Sequence, residues 1–324
     1  MDKNIKIFIA GHNGMVGSAI WRTLLANGYQ NLVGRSSAEL DLRQQQAVLQ
    51  FFAQEKPAVV IDAAARVGGI LANNTYPYQF LMDNMMIQNN LIDAALQQEV
   101  DKFIFLGSSC IYPKFAPQPL KEEYLLTDTL EPTNEWYAVA KITGVKACEA
   151  VRKQFNKDFV SLMPTNLYGT HDNFDLQTSH VLPAMLRKFH EAKLNNHAPV
   201  TLWGSGTPMR EFLFVDDMAS SVLFALENRL PEYLYNVGTG VDLTIRELAL
   251  CIQKTVGHAG DIVWDRSKPD GTPRKLMDVS KMHKLGWKHQ VELEEGIQRT
   301  YDWFLAHIDS YKEVKLDYVK NTSL

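Results

Sequence analysis

Cysteine is scarce in this chain: three in 324 residues, at Cys110, Cys148 and Cys251. An odd and scattered set argues against a disulfide framework and against a bound metal such as zinc, and for a reducing compartment. Long apolar runs are missing too. None approaches the ~20 residues that a membrane span requires, and the N-terminus enters a strand without a signal-peptide core, so no membrane is expected and the cytoplasm is the expected location. Basic blocks are also absent. The 33 Lys and Arg against 37 Asp and Glu leave a net charge of −4, which counts against nucleic acid as a partner. No internal repeat or low-complexity tract interrupts the chain. The length suits one large or two modest domains.

What is present begins with glycine. Ile5–Ala10 is a short apolar run of strand character, followed at once by Gly11-His-Asn-Gly14-Met-Val-Gly17. Val16, Ala19, Ile20 and Leu24 then recur at helical spacing. Strand, glycine turn and helix in this order let the backbone approach a pyrophosphate, which sits on the helix N-terminus at its positive dipole end. The segment Gly11, His12, Asn13, Gly14, Met15, Val16, Gly17 is therefore expected to line a dinucleotide, with the His12 side chain itself structural or at the surface. Arg35 closes the second strand, where a site built for NAD usually presents an acid to the ribose. A guanidinium fork suits a 2′-phosphate instead, which favours NADP(H). Asp41 and Leu42 follow, with Asp41 either meeting the adenine or capping the helix expected over Arg43–Glu55.

Tyr137-Ala-Val-Ala-Lys141 and the upstream Ser108 supply chemistry to go with such a cofactor. A phenol titrates near 10. A lysine one helical turn away shares its face, favours the phenolate and draws the pKa down. A serine near the phenol can hold a substrate carbonyl. Alone the spacing is a weak pattern; behind a dinucleotide turn it reads as carbonyl reduction.

Strands and helices alternate to about residue 165. The reading is helix Arg43–Glu55, strand 58–65 with small residues at its end, helix Tyr78–Gln98, strand Lys102–Gly107, helix Tyr137–Phe155 and strand Asp158–Met163. That alternation means an α/β fold with a parallel, doubly wound sheet and ligands beyond the carboxyl ends of its strands. Leu106, Gly107, Ser108 and Ser109 fall at one such end, and Pro164, Thr165, Asn166 and Leu167 at another. After Pro164 the pattern loosens into polar loops, a helix over Ser179–Ala192, a turn at Trp203–Gly206 and a strand entering a helix over Arg210–Asp217. Residues 1–165 plus about 210–240 are expected to form the cofactor domain. About 166–209 and 241–324 are expected to form a smaller C-terminal α/β domain for the substrate.

Taken together, the glycine turn, Ser108 and Y-x-x-x-K resemble the extended short-chain dehydrogenase/reductase family, whose fold is of the Rossmann type. Longer blocks narrow the resemblance: Ala10–Ser18, Val67–Pro77, Leu106–Pro113, Leu130–Asn134, Met163–Gly169, Ser179-His180, Trp203–Phe212 and Lys268–Lys275. They are similar to the branch that converts GDP-4-keto-6-deoxy-D-mannose to GDP-L-fucose, by 3,5-epimerisation and then NADPH-dependent reduction at C4. The resemblance implies Cys110 and His180 as the base and acid of epimerisation, chemistry that a thiol and an imidazole can perform near neutrality. It also places His180 and Lys141 against the cofactor. Asn166, Lys188, Trp203, Arg210 and Lys275 are implied at the GDP end, with Asp270 there accepting from a ribose hydroxyl, and a homodimer is implied through the helices Tyr78–Gln98 and Tyr137–Phe155. Four positions depart from the pattern. Asn13 and Ser37 stand where arginine can occur, which leaves Arg35 as the main phosphate anchor, and Thr170 and Phe214 replace a common proline and histidine.

Overall fold

A computed structural model describes residues 1–311 except Gln177 and Pro269, leaving the side chains of Ile70 and Leu71 aside. The first half runs β1 (Ile7–Ala10), α1 (Met15–Ala26), β2 (Leu32–Val33), α2 (Gln45–Glu55), β3 (Val59–Asp62), α3 (Ile70–Thr75), α4 (Pro77–Gln97), β4 (Lys102–Leu106), α5 (Glu135–Phe155) and β5 (Asp158–Pro164). The second half opens with β6 (Asn166–Tyr168), α6 (Val181–Leu194), β7 (Val200–Trp203), β8 (Met209–Phe214), α7 (Val215–Glu227) and β9 (Leu234–Val237). It closes with β10 (Asp242–Thr244), α8 (Ile245–Val256), β11 (Ile262–Asp265), β12 (Arg274–Lys275), α9 (Ser280–Leu285) and α10 (Leu293–Ala306).

Six parallel strands form the main sheet in the order β2-β1-β3-β4-β5-β9. Such strands are apolar on both faces because both are covered. Side chains alternate between the faces. Phe8, Val60, Phe103 and Phe105 therefore pack with Phe52, Leu91 and Val145 of α2, α4 and α5. Ile7, Ile9, Ile61 and Ile104 pack with Ile20 and Leu24 of α1 and with Met218 and Val222 of α7. Asp62 ends β3 fully buried, on the Val60 face. The strand order reverses between β1 and β3, the crevice in which a doubly wound sheet takes its ligand.

A second core gathers Phe174, Phe189, Leu202, Phe212, Leu248, Ile252 and Phe304 among α6, α8, α10 and the short strands. There β8 pairs with β10, β12 and, farther along, β6, while β7 pairs with β11. Glu211 of β8 is wholly buried; its carboxylate accepts the backbone N–H groups of Thr239, Gly240 and Met277 at 2.6, 2.7 and 2.9 Å.

The element ends expected from sequence move by a few residues, for local reasons. Asp41 accepts the backbone N–H of Arg43 at 3.0 Å, so residues 42–44 form a turn and α2 starts at Gln45. Pro77 takes the first position of α4, where its missing N–H leaves no bond unmade. His180 is the N-cap residue of α6, which begins at Val181.

Candidate active site

The glycine turn is needed for steric reasons. Gly11 has φ +78°, and a Cβ there would lie 2.7 Å from the Ala63 carbonyl oxygen. One on Gly17 would lie 2.2 Å from the Gly11 oxygen. The chain is thus pressed against the end of β3, and α1 opens behind Gly14 with no side chain capping its free N–H groups and no acid in its first turn. That is a cradle for a dinucleotide pyrophosphate. Met15 and Val16 face the α1–α7 core, and the His12 ring packs on Trp21 at 5.6 Å.

Farther along the crevice, Arg35 does not stand free. It pairs with Glu55 at 2.6 Å and donates to the Gly34 carbonyl at 2.9 Å. The Asp41 carboxylate is clamped by Arg43 at 2.9 Å, and Arg43 also reaches Asp83 at 3.5 Å. Asp41 does not cap α2, whose N-cap is Gln44 with no side-chain bond, and instead holds the turn that precedes the helix. Leu42 packs on the core beneath.

The catalytic candidates converge at the carboxyl end of β4. A cavity with about 280 Å³ of empty space is lined by Ser108, Tyr137 and His180 together with Val67, Gly68 and Asn73. Ser108 leaves β4 in extended conformation, and its Oγ accepts from the Cys110 N–H at 3.4 Å. Cys110 is buried and faces a second hollow of about 290 Å³, shared with Lys114, Glu131 and Lys275. Lys141, one turn after Tyr137, lies with Nζ 5.9 Å from the phenol ring centroid and donates to the Leu106 carbonyl at 2.9 Å.

The electrostatics amend one sequence expectation. Burial pushes the Tyr137 phenol well above its ordinary pKa, and charge on Cys110 and Asp62 pushes the same way. Lys141, itself lowered by burial and then supported by Asp62 and Cys110, directs its hydrogen bond to the β4 backbone. The phenol is therefore held protonated. Burial raises the Cys110 thiol, an effect opposed first by Lys275 and then by Ser108. His180 lines the cavity yet is exposed as a residue, and the protein packed around its ring lowers the pKa of the imidazole.

On the other side of the cleft, β8–β12 pairing sets Arg210 directly beside Lys275. Burial lowers the pKa of both, and likewise of Lys188, whose Nζ donates to the Thr201 carbonyl at 3.3 Å. Among the described residues none of the three forms an ion pair. Partly desolvated cations left without acids suit an anionic ligand. Trp203 is 60% exposed, with the Lys268 ammonium 5.5 Å from its ring centroid. Asn166 donates to the Glu211 carbonyl at 2.8 Å, and Thr165 does so at 3.2 Å. Pro164 closes β5, and Leu167 packs on the α1–α7 core. Asp270, expected at a ribose hydroxyl, instead gives both carboxylate oxygens to Ser205, accepting its N–H at 2.6 Å and its hydroxyl at 2.8 Å. It holds the turn after Trp203.

Asp62, Asn73 and Glu131 were not anticipated from sequence. The one available signal was an acid closing an apolar strand at Asp62; nothing local distinguished Asn73 or Glu131.

Known proteins share this layout. The NAD dependent epimerase/dehydratase family model matches residues 7–238. GDP-L-fucose synthase 1 of Arabidopsis thaliana is 56% identical over 307 residues, covering 95% of this chain and 95% of that protein. GDP-L-fucose synthase of Escherichia coli (strain K12) is 56% identical over 316 residues, covering 95% and 98%. The crystal structure of a GDP-L-fucose synthetase from Naegleria fowleri bound to NADP superposes with a TM-score of 0.87 at 28% identity, covering 96% of this chain and 97% of that one. The chain belongs to the NAD dependent epimerase/dehydratase family.

Proposed function

We propose that this protein forms GDP-L-fucose from GDP-4-keto-6-deoxy-D-mannose, by epimerisation at C3 and C5 and NADPH-dependent reduction at C4. The observation that carries the reading is the meeting of Ser108, Tyr137 and His180 in one cavity, with Cys110 beside it and Lys141 behind. Relatives of this name at 56% identity support it.

Epimerisation comes first. The C4 carbonyl acidifies the protons on C3 and C5, so a base on one face can remove each and an acid on the other can return it. Cys110 and His180 take these parts. Burial raises the Cys110 thiol, and Lys275 favours its ionised form. Ser108 then holds the C4 oxygen while Tyr137 donates a proton to it, leaving a phenolate close to the Lys141 ammonium. NADPH supplies the hydride that the same step requires.

Gly11–Gly17 would hold the cofactor together with the residues at the ends of β4 and β5, and Arg35 would turn from Glu55 to its 2′-phosphate. Lys188, Arg210 and Lys275 take the pyrophosphate, Trp203 stacks on the base or ribose, and Asn166 lines the substrate. Residues 1–165 plus about 210–240 thus serve the cofactor, and about 166–209 and 241–324 the substrate. The chain acts as a homodimer in the cytoplasm; Trp136 and Val139 of α5 and Tyr78 of α4 are exposed on the helices expected to meet. Among the described residues no helix is long and apolar enough to cross a membrane.

Incubation with GDP-4-keto-6-deoxy-D-mannose and NADPH tests the reading. One NADPH should be oxidised per GDP-L-fucose identified by NMR. Unchanged NADPH with that substrate, together with C4 epimerisation of a GDP-hexose that carries a C4 hydroxyl, would replace it with an epimerase that keeps its cofactor oxidised.

A further inference from the structure

Asp62 has no part in that chemistry, yet it occupies an expensive position. Its carboxyl is completely buried at the end of β3. One oxygen accepts the Ala64 N–H at 3.1 Å; the other has no hydrogen-bond partner. An isolated buried carboxylate is strongly unfavourable and persists only beside a compensating charge. The sheet supplies one. Parallel pairing sets Asp62 directly beside Phe105, on the same face, and the Lys141 ammonium lies 4.7 Å from the Phe105 ring centroid. Lys141 is anchored to the next carbonyl along β4. Asp62 and Lys141 are thus brought together behind Tyr137 by two elements that hold both rigidly.

We propose that Asp62 is the charge partner of Lys141, a positioning residue that keeps the ammonium charged and in place behind the reacting phenol. This rests on Tyr137 and Lys141 acting in the reduction. Burial alone drives the lysine toward its neutral form, which would leave the phenolate formed on proton donation without a cation. A carboxylate behind the lysine opposes that loss. It also opposes ionisation of the phenol, so the pair Tyr–OH and Lys–NH₃⁺ is preserved to higher pH. The titratable groups around this pair are few. Tyr137, Lys141 and Cys148 come from α5 and Cys110 from the turn after β4, while α4 contributes the neutral Gln88, which donates to the Ala140 carbonyl. His180 enters the same cavity and titrates on the acid side, so the alkaline limb is the informative one.

The test is the pH profile of single-turnover NADPH oxidation in wild type, Asp62→Asn and Asp62→Leu, with Tyr137→Phe alongside. Removing the carboxylate lowers the pKa of both Lys141 and Tyr137. The alkaline limb should therefore move down by about one pH unit or more in both Asp62 variants, and the leucine variant should melt higher than wild type at pH 7. A structural role would alter melting and leave the limb in place. An unmoved limb in a folded Asp62 variant overturns the proposal, as does failure of both variants to fold. Wild-type turnover in Tyr137→Phe would instead overturn the reading beneath it.

Discussion

Replacing Arg35 by alanine should separate the two nicotinamide cofactors, and the structure sets the size of the effect. A charged hydrogen bond to a phosphate contributes roughly 1.5–3 kcal/mol. Arg35 must first leave Glu55, a 2.6 Å pair whose side chains are 37% and 23% exposed. At that exposure the pair is worth only about 0.5–1 kcal/mol. The difference leaves about 1–2 kcal/mol, so NADPH should bind roughly 5- to 30-fold more weakly to the variant, while NADH binding stays near wild type. Glu55→Gln works in the opposite direction. Freed from its carboxylate, Arg35 should bind NADPH about 2- to 5-fold more tightly, again with no change for NADH. Fluorescence titration of each variant with both cofactors reads all four constants. Equal losses for NADPH and NADH in Arg35→Ala, or no gain in Glu55→Gln, would make the pair a packing feature and remove Arg35 from cofactor choice.

Tyr137→Phe should lower turnover by roughly two to four orders of magnitude, the range for a lost general acid, with NADPH binding preserved; near-normal turnover would exclude the phenol. In D₂O the wild type should place deuterium at C3 and C5, whereas Cys110→Ser should lose exchange at one or both carbons and still reduce C4. Full incorporation in that variant would make Cys110 a core residue. Asp62→Leu should gain stability as pH rises. The Asp62 carboxyl is raised from 3.8 to about 6, so the folded state holds its proton more tightly than the unfolded state. Its contribution is greatest below about pH 4 and is lost as pH climbs through about 6. The gain from leucine, by chemical denaturation, should grow over that interval to at most about 3 kcal/mol, less what Lys141 loses with its partner; a gain flat across it would contradict the assignment.

The sheet was legible because its strands are nearly continuous apolar runs and its helices keep a 3.6-residue period. The cradle was legible too, because only glycine fits at Gly11, against the end of β3, and at Gly17, against the Gly11 turn. Short strands such as β6, β10 and β12, of two or three residues, carry no such pattern; pairing across the fold defines them. The same distance hides site details. Sequence suggests that Arg35 suits a phosphate but cannot show Glu55 twenty residues on already holding it. It offers Asp270 as a ligand for a ribose, whereas Ser205, 65 positions earlier, takes both oxygens. Tyr137 and Lys141 were visible as a pair, but the third charge behind them is set by the register of β3 against β4.

The route of the chain through its sheets has a consequence for synthesis. The edge of β5 is covered by β9, which follows about seventy residues later, after the chain has left to build β6 through β8. The Glu211 carboxylate is completed later in the chain, because one of its three N–H donors belongs to Met277. At roughly 5–20 residues per second on a ribosome, the nascent protein spends several seconds with an open strand edge and an unsatisfied acid. Chaperone binding during translation, and arrest of partly made chains as aggregates, should both concentrate in the interval after β5 has emerged and before Met277 has.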